Sequence, residues 1–418
     1  MTNLLIHNLS EVATAEGTVP LRGADQRRIR RIPGAEVLCR DGRIVFVGSP
    51  GERLRSFGEL PGAERLDGRG GTLIPGFVDP HTHLPWAGSR EEEFAARLAG
   101  RTYQEIAAAG GGILSTVAAT RRASEEDLAA NVRRRLDQML AWGTTTAEAK
   151  SGYGLSREDE LKQLRAIRAA SSSHPVDLVP TLMAAHEIPP EHRSDRGRYL
   201  DLICEEIIPS TAEQGLARFC DVFCEEGVFT AEESRRVLEA GVRYGLAPRL
   251  HADEFVDSGG AELAAELGAL SADHLIAVSP AGVDALARSG VTAVLLPGTS
   301  FFLMKHKYAP ARRMIEAGVP VALATDCNPG SCHTESMPAV FVLAVFELGL
   351  TIEESLTAAT LNSACCLGLG AEVGSVEPGK RADLVLLDAP NLLHLAYHFG
   401  INPVAAVVKG GRVVRRAG

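Results

Sequence analysis

Two histidines one residue apart, His81 and His83, lie in the stretch GFVDPHTHLPWAG at residues 76 to 88. Along a strand, successive side chains alternate faces, so residues i and i+2 point the same way and both imidazoles face one point. Neutral imidazole is a common ligand for zinc and for iron, and two on one face make half of a metal site. Farther along, His251 and Asp326 fall at the ends of the apolar runs LAPRLHADE and VPVALATD. Three imidazoles and a carboxylate suffice for one divalent ion with an open position for water, whose pKa falls when it is so bound. Glu254, three residues after His251, suits a general base that takes a proton from that water and returns it to a leaving nitrogen. His274 can polarise a carbonyl or support an oxyanion. Asp326 shares in the proton transfers to be expected at such a site.

Three further residues have the chemistry of substrate contacts. Arg90, in AGSREEEF, follows a candidate helix cap at Ser89 and can meet a carboxylate through its planar fork. Tyr153 stands between Gly152 and Gly154, which let its loop fold over a pocket and offer a hydroxyl. His186 ends the apolar run VDLVPTLMAAH and opens onto the same rim.

These residues need a scaffold that brings distant strand ends together. Short apolar runs alternate with amphipathic helices through the middle of the chain: TLIPGFVD, TTTAEAKSG, VDLVPTLMAAH, CDVFCEEG, LAPRLHADE, SADHL, VTAVLLPG and VPVALATD. Helices with readable limits lie between them, at Ser124 to Gly143, Thr230 to Gly245 and Ser279 to Gly290, each opening on a capping hydroxyl and closing on glycine. The pattern predicts an α/β fold, a (β/α)8 TIM barrel over residues 73–372. A doubly wound sheet is the other arrangement of such units, but it usually carries a glycine-rich loop after its first strand, where this chain has His-Thr-His. In a TIM barrel the catalytic groups sit at the C-terminal ends of strands, and there the first, third, fifth, sixth and eighth runs carry His81 and His83, His186, His251 with Glu254, His274 and Asp326.

Both ends of the chain read as β. Asp41-Gly42 and Gly410-Gly411 each separate two β-rich runs, a strong hairpin signal. Residues 1–72 and 373–418 are therefore expected to form one small β-sandwich domain. The run Arg27, Arg28, Arg30 and Arg31 is expected in a solvated loop before the first hairpin.

Composition narrows the class of partner. A formal net charge of −10 argues against a nucleic-acid backbone or an anionic membrane as the main partner. The first residues, MTNLLIHNLSEVATAEG, lack a basic start and a long apolar stretch, so no signal peptide is expected. The 8 cysteines, with no C-x-x-C, read as buried reduced thiols, Cys220, Cys224, Cys365 and Cys366 among them, and imply a cytoplasmic protein.

With PGFVDPHTH, AGSREEEFAARLAGRTYQEIAAAGGGILSTVAATR, KSGYGLS, HADEF, GGAELAAELGALSADHL, ATDCNPGSCHTES and GKRADLVLLD together, the chain resembles the amidohydrolase superfamily over residues 75 to 388. His-x-His with later His, His and Asp is shared widely there, whereas SREEEF, KSGYG and NPGS are narrower. The resemblance implies hydrolytic opening of 4-imidazolone-5-propanoate to N-formimidoyl-L-glutamate in histidine degradation, with one zinc or iron ion and a homodimeric assembly. Carried over by motif, the metal ligands are His81, His83, His251 and Asp326. Arg90, Tyr153, His186 and Glu254 contact substrate, and Asn328, Gly330 and Ser331 meet the carboxylate end of the product. Cys332 and His333 depart from the pattern in the same loop. The fourth run, DVFCEEG, has no lysine to bridge two metals, so a single metal is expected.

Two other functions compete. A deaminase of a nucleobase-like ring also uses the His251 and Glu254 spacing, but Arg90 and NPGS suit a substrate bearing a carboxylate. A barrel that has lost catalysis and serves as a scaffold should lack ligands, and no ligand is missing from this sequence.

Overall fold

The computed structural model describes residues 3–101, 105 and 111–417. Part of the quoted stretch after Arg101, residues 102–104 and 106–110, lies outside the described residues. An 8-stranded parallel sheet forms the centre. Its strands in chain order are Phe77–Asp79, Thr144–Lys150, Asp177–Ala185, Phe219–Cys224, Ala247–Ala252, Ser271–His274, Thr292–Leu295 and Val321–Leu323. Each pairs with the next. Closure between the last and the first comes just beyond the strands, where Thr82 bridges Cys327, His83 N–H donates to Cys327 O at 3.0 Å and Asp326 N–H to His81 O at 3.1 Å. The TIM barrel is therefore present, and its seam is made by the two segments that carry His81, His83 and Asp326.

The helices begin where short polar side chains can satisfy the free N–H groups of a first turn. Ser124 and Thr230 make reciprocal capping boxes with Asp127 and Glu233, and Ser279 caps Gly282 N–H. The helices end beside glycines in the left-handed region, Gly143, Gly245 and Gly290, as anticipated. Apolar faces such as Leu136, Met139, Leu164, Leu238 and Leu286 close over the barrel in one continuous core. The helix predicted to be capped by Ser89 instead runs Glu91–Leu98, with Arg90 at its N-cap and no side-chain cap. The Arg90 guanidinium reaches forward to Glu93 in the first turn, so the helix starts one residue later.

Strands from both ends of the chain flank the barrel. A 4-stranded sheet takes Arg43–Gly48, Glu36–Arg40, Asn3–His7 and Glu64–Asp67; a 6-stranded sheet takes Arg412–Arg416, Val404–Lys409, Leu384–Leu387, Thr72–Pro75, Glu11–Thr14 and Arg30–Pro33. Leu4, Ile6, Val37 and Leu66 from the first share a core with Val12, Leu73, Leu384 and Val408 from the second. Both hairpin turns have two consecutive residues at positive φ, Asp41 at 47° and Gly42 at 84°, Gly410 at 52° and Gly411 at 71°, which fits the right-handed twist of the strands they join.

Two further expectations change. The run TLIPGFVD is two strands: Thr72–Pro75 pairs with Leu384–Leu387, and only Phe77–Asp79 enters the barrel. The break is at Gly76, where a Cβ would stand 2.3 Å from Thr145 Oγ1, so only glycine lets the chain pass between sheets. Arg30 and Arg31 lie in a strand rather than a loop, because Arg31 pairs bidentately with Glu11 across the ladder at 2.8 and 3.0 Å.

Candidate active site

His81, His83, His251 and Asp326 converge at the C-terminal mouth of the barrel, all buried. His83 Nε2 lies 3.4 Å from His251 Nε2, and Asp326 Oδ1 lies 3.5 Å from His81 Nε2 and 3.6 Å from His83 Nε2. Carboxylates behind two of the rings set where their protons sit. His81 Nδ1 meets Asp273 Oδ2 at 2.6 Å and His251 Nδ1 meets Asp221 Oδ1 at 3.1 Å. A carboxylate only accepts, so each Nδ1 carries the proton and each Nε2 presents a lone pair to the cluster. Burial, reinforced by nearby cationic groups, holds His81, His83 and His274 well below the usual histidine range, which keeps their rings neutral.

Two ring nitrogens that face each other, and a buried His81 Nε2 with no hydrogen-bond partner, make poor sense without a cation between them. The ligating atoms of His81, His83 and His251 all lie within 4.8 Å of one another, as do those of His81, His274 and Asp326. Burial pushes the Asp326 carboxyl up to about 6, against the Thr299 hydroxyl that donates to its Oδ2 at 2.6 Å. That leaves Oδ1 for the cluster. The donor set fits a divalent ion of borderline softness.

Glu254 stands beside this centre, 3.8 Å from His274 Nε2. Burial first, and then the charge of Asp326, push its carboxyl up to about 8. The loop that carries it is clamped by Glu225, which accepts from the N–H groups of Glu254 and Phe255 at 2.9 Å and of Val256 at 3.1 Å. His274 and Asp326 have φ of 76° and 55°, uncommon for residues with a side chain, so the backbone is strained where it aims these two groups. His274 Nδ1 is buried with no partner. His186 donates from Nδ1 to Gly152 O at 3.0 Å, which leaves its Nε2 an acceptor, and burial brings its pKa down to about 3. Its ring stacks on His83 at 5.1 Å and meets Tyr153 at 5.3 Å, so Tyr153 and His186 form one wall.

Arg90 and the turn after Asp326 form another. A Cβ on Gly330 would stand 1.9 Å from Arg90 Nη1, so the guanidinium lies against bare backbone there. Its fork is engaged by Glu93, Nε to Oε2 at 2.9 Å and Nη2 to Oε1 at 2.5 Å. Asn328 folds the turn itself: its Oδ1 accepts from Gly330 and Ser331 N–H, both at 2.8 Å, and its Nδ2 donates to Asp326 O at 2.7 Å and Ser331 Oγ at 2.8 Å. Ser331 Oγ in turn lies 3.4 Å from Asp326 Oδ2. Cys332 is buried, and the His333 ring packs edge-on against Trp86 at 5.6 Å.

Sequence reasoning passed over the charged floor beneath these groups: Glu148 and Lys150, Asp221, Arg249 and Asp273, none exposed at all. Burial pulls the Lys150 ammonium down, but Asp221 and Glu148 outweigh it and leave its pKa raised. Asp221 is held well below the usual carboxylate range, its burial outweighed by Lys150 and His251. A signal was there. Glu148 with Lys150, and Arg249 with His251, are i and i+2 pairs within strands, a spacing that places both members on one face.

The Amidohydrolase family model matches residues 251–414. The imidazolonepropionase of Symbiobacterium thermophilum is 55% identical over 413 residues, spanning 99% of this chain and 97% of its own length. That of Geobacillus kaustophilus is 51% identical over 417 residues, spanning 99% and 98%. Among solved structures, E. coli guanine deaminase aligns with a TM-score of 0.74 at 16% identity over 100% of both chains. A 5-methylcytosine deaminase from Klebsiella pneumoniae does so with a TM-score of 0.74 at 17% identity over 99% and 98%. Those two likenesses show the fold, while the near-complete sequence matches decide the family. The chain belongs to the imidazolonepropionase family of amidohydrolases.

Proposed function

We propose that this chain hydrolyses 4-imidazolone-5-propanoate to N-formimidoyl-L-glutamate, a step of histidine degradation. The observation that carries the reading is the histidine and aspartate cluster set beside a buried carboxyl, Glu254, at one barrel mouth. Relatives named imidazolonepropionase at 49–55% identity across the chain support the same substrate.

His81, His83, His251 and Asp326 are the ligands of one divalent ion, zinc or iron, both of which suit imidazole and carboxylate donors. Such an ion, when bound, lowers the pKa of water and polarises a carbonyl. Glu254 takes one proton from the attacking water as its oxygen bonds to the ring carbonyl carbon. Glu254 then passes that proton to the ring nitrogen as the carbon–nitrogen bond breaks, so the acid produced retains the water's oxygen. Its raised pKa suits a group that must both take and give a proton near neutrality. His274 faces the carbonyl oxygen and steadies the charge that develops there. Tyr153 and His186 hold the ring against their shared wall. Arg90 meets the propionate through Nη1, the nitrogen beside Gly330, since Glu93 holds Nε and Nη2, and the turn folded by Asn328 and Ser331 receives that end of the molecule.

A single metal is favoured by Lys150, whose ammonium is ringed by Glu148, Asp221 and Asp273 and so offers no free amine to carboxylate. A homodimer is favoured by large exposed apolar side chains close in sequence at the chain's end, Leu393, Tyr397, Phe399 and Ile401, which a solution mass measurement tests. No helix is long and apolar enough to cross a membrane. A cytoplasmic setting is favoured by the buried free cysteines.

The test is loss of imidazolone absorbance when purified protein meets imidazolone propionate generated in place, with formimidoylglutamate assayed as product. Turnover abolished by a chelator and restored by metal is the expected result. Absence of turnover by metal-loaded protein refutes the substrate.

A further inference from the structure

The mouth of the barrel rests on a layer of charge that an ordinary barrel interior would fill with branched apolar side chains. Lys150 is at its centre. Its ammonium lies 2.6 Å from Asp221 Oδ2, 2.8 Å from Glu148 Oε2 and 3.8 Å from Asp273 Oδ2. Two of those carboxylates are the acceptors for His251 Nδ1 and His81 Nδ1. A buried ammonium and its carboxylates offset one another's desolvation, and a wholly apolar layer would be about as stable, so stability alone does not account for this network.

We propose that Lys150 is a positioning residue for the metal centre: it fixes Asp221 and Asp273 as acceptors, and through them holds His251 and His81 with their Nε2 lone pairs turned inward. The inference rests on the reading of the histidine cluster as a metal site. The two arms are unequal. Asp273 keeps a second cationic partner in Arg249, at 3.2 Å, whereas Lys150 is the one lysine or arginine paired with Asp221 among the described residues. Loss of the ammonium therefore releases the His251 arm more than the His81 arm.

The experiment measures zinc affinity of the full chain by competition with a chromophoric chelator, alongside the visible spectrum of the cobalt-loaded protein and a melting curve. Lys150→Met is expected to stay folded and to bind zinc about ten- to a hundredfold more weakly, the range typical of groups that orient a metal ligand. The cobalt spectrum should change with it. Asp221→Asn should weaken binding comparably, and Lys150→Met with Asp221→Asn should be no weaker than the worse single variant, since the His251 arm, the one Lys150 alone supports, is already released in either. Folded Lys150→Met with unaltered zinc affinity and spectrum overturns the proposal, as does a double variant whose losses multiply. If Lys150→Met does not fold, Asp221→Asn decides alone, with unaltered affinity again overturning it. A wild-type chain that takes up no metal refutes the metal reading itself, a separate outcome.

Discussion

Replacing Glu254 by glutamine separates what this carboxyl does for catalysis from what it does to the fold. Glutamine keeps the shape, and the main-chain N–H that fixes the loop on Glu225 at 2.9 Å is untouched. Removal of a general base typically costs 10²- to 10⁴-fold in rate, about 3–5 kcal/mol of barrier. The effect on stability has the opposite sign. Burial and Asp326 push the Glu254 carboxyl from 4.5 up to about 8, so between those values the unfolded chain has released a proton that the folded chain keeps. Stability is thus lost as pH rises through this window and is restored below it. At about 1.4 kcal/mol per pH unit, the ionised unfolded state gains on the order of 4–5 kcal/mol by the top of it.

Glu254→Gln removes that penalty. In chelated protein the variant should melt above wild type at about pH 9 and level with it at about pH 4. With metal bound, the Asp326 charge is directed to the cation and the difference shrinks. Turnover followed by imidazolone absorbance should fall at least a hundredfold with KM little changed. In wild type, kcat/KM should fall as pH drops through a value above the ordinary carboxylate range. A variant within about tenfold of wild-type turnover, or one that melts lower in alkali, refutes the assignment.

His81→Ala should abolish turnover and weaken metal uptake while leaving a folded barrel by circular dichroism; unaltered activity would remove His81 from the ligand set. In Gly330→Ala the new methyl displaces the Arg90 guanidinium, which lies 1.9 Å from its position, while φ at 330 is outside the left-handed region. KM should rise about tenfold with kcat and the melting point nearly unchanged, the signature of lost uniform binding, and an unchanged KM removes Arg90 from the substrate contacts. Thr230→Ala deletes a capping box on an exposed helix start and should cost about 1 kcal/mol in urea unfolding with activity intact.

Whatever depends on neighbours in the chain was legible in the sequence. Hairpins at Asp41-Gly42 and Gly410-Gly411 follow from residues that tolerate positive φ, helix starts at Ser124, Thr230 and Ser279 from hydroxyls that reach a first-turn N–H, and the shared direction of His81 and His83 from the two-residue period of extended chain, here the segment just past the first strand that bridges at Thr82. Polar groups at successive strand ends placed Glu254, His274 and Asp326 at one mouth once a barrel was inferred. Tertiary structure alone decided the pairings. His81 meets Asp273 across 192 residues of chain and His83 meets His251 across 168, contacts that exist only because the barrel closes on itself. Lys150, Asp221 and Arg249 meet only when closure juxtaposes three strands, and Arg90, whose pairing with Glu93 three residues on is local, is set over Gly330 only by the fold. The difference is physical: caps, turns and strand faces are set by bonds spanning a few residues, whereas a proton's place on His81 or His251 is set by a carboxylate that only packing can deliver.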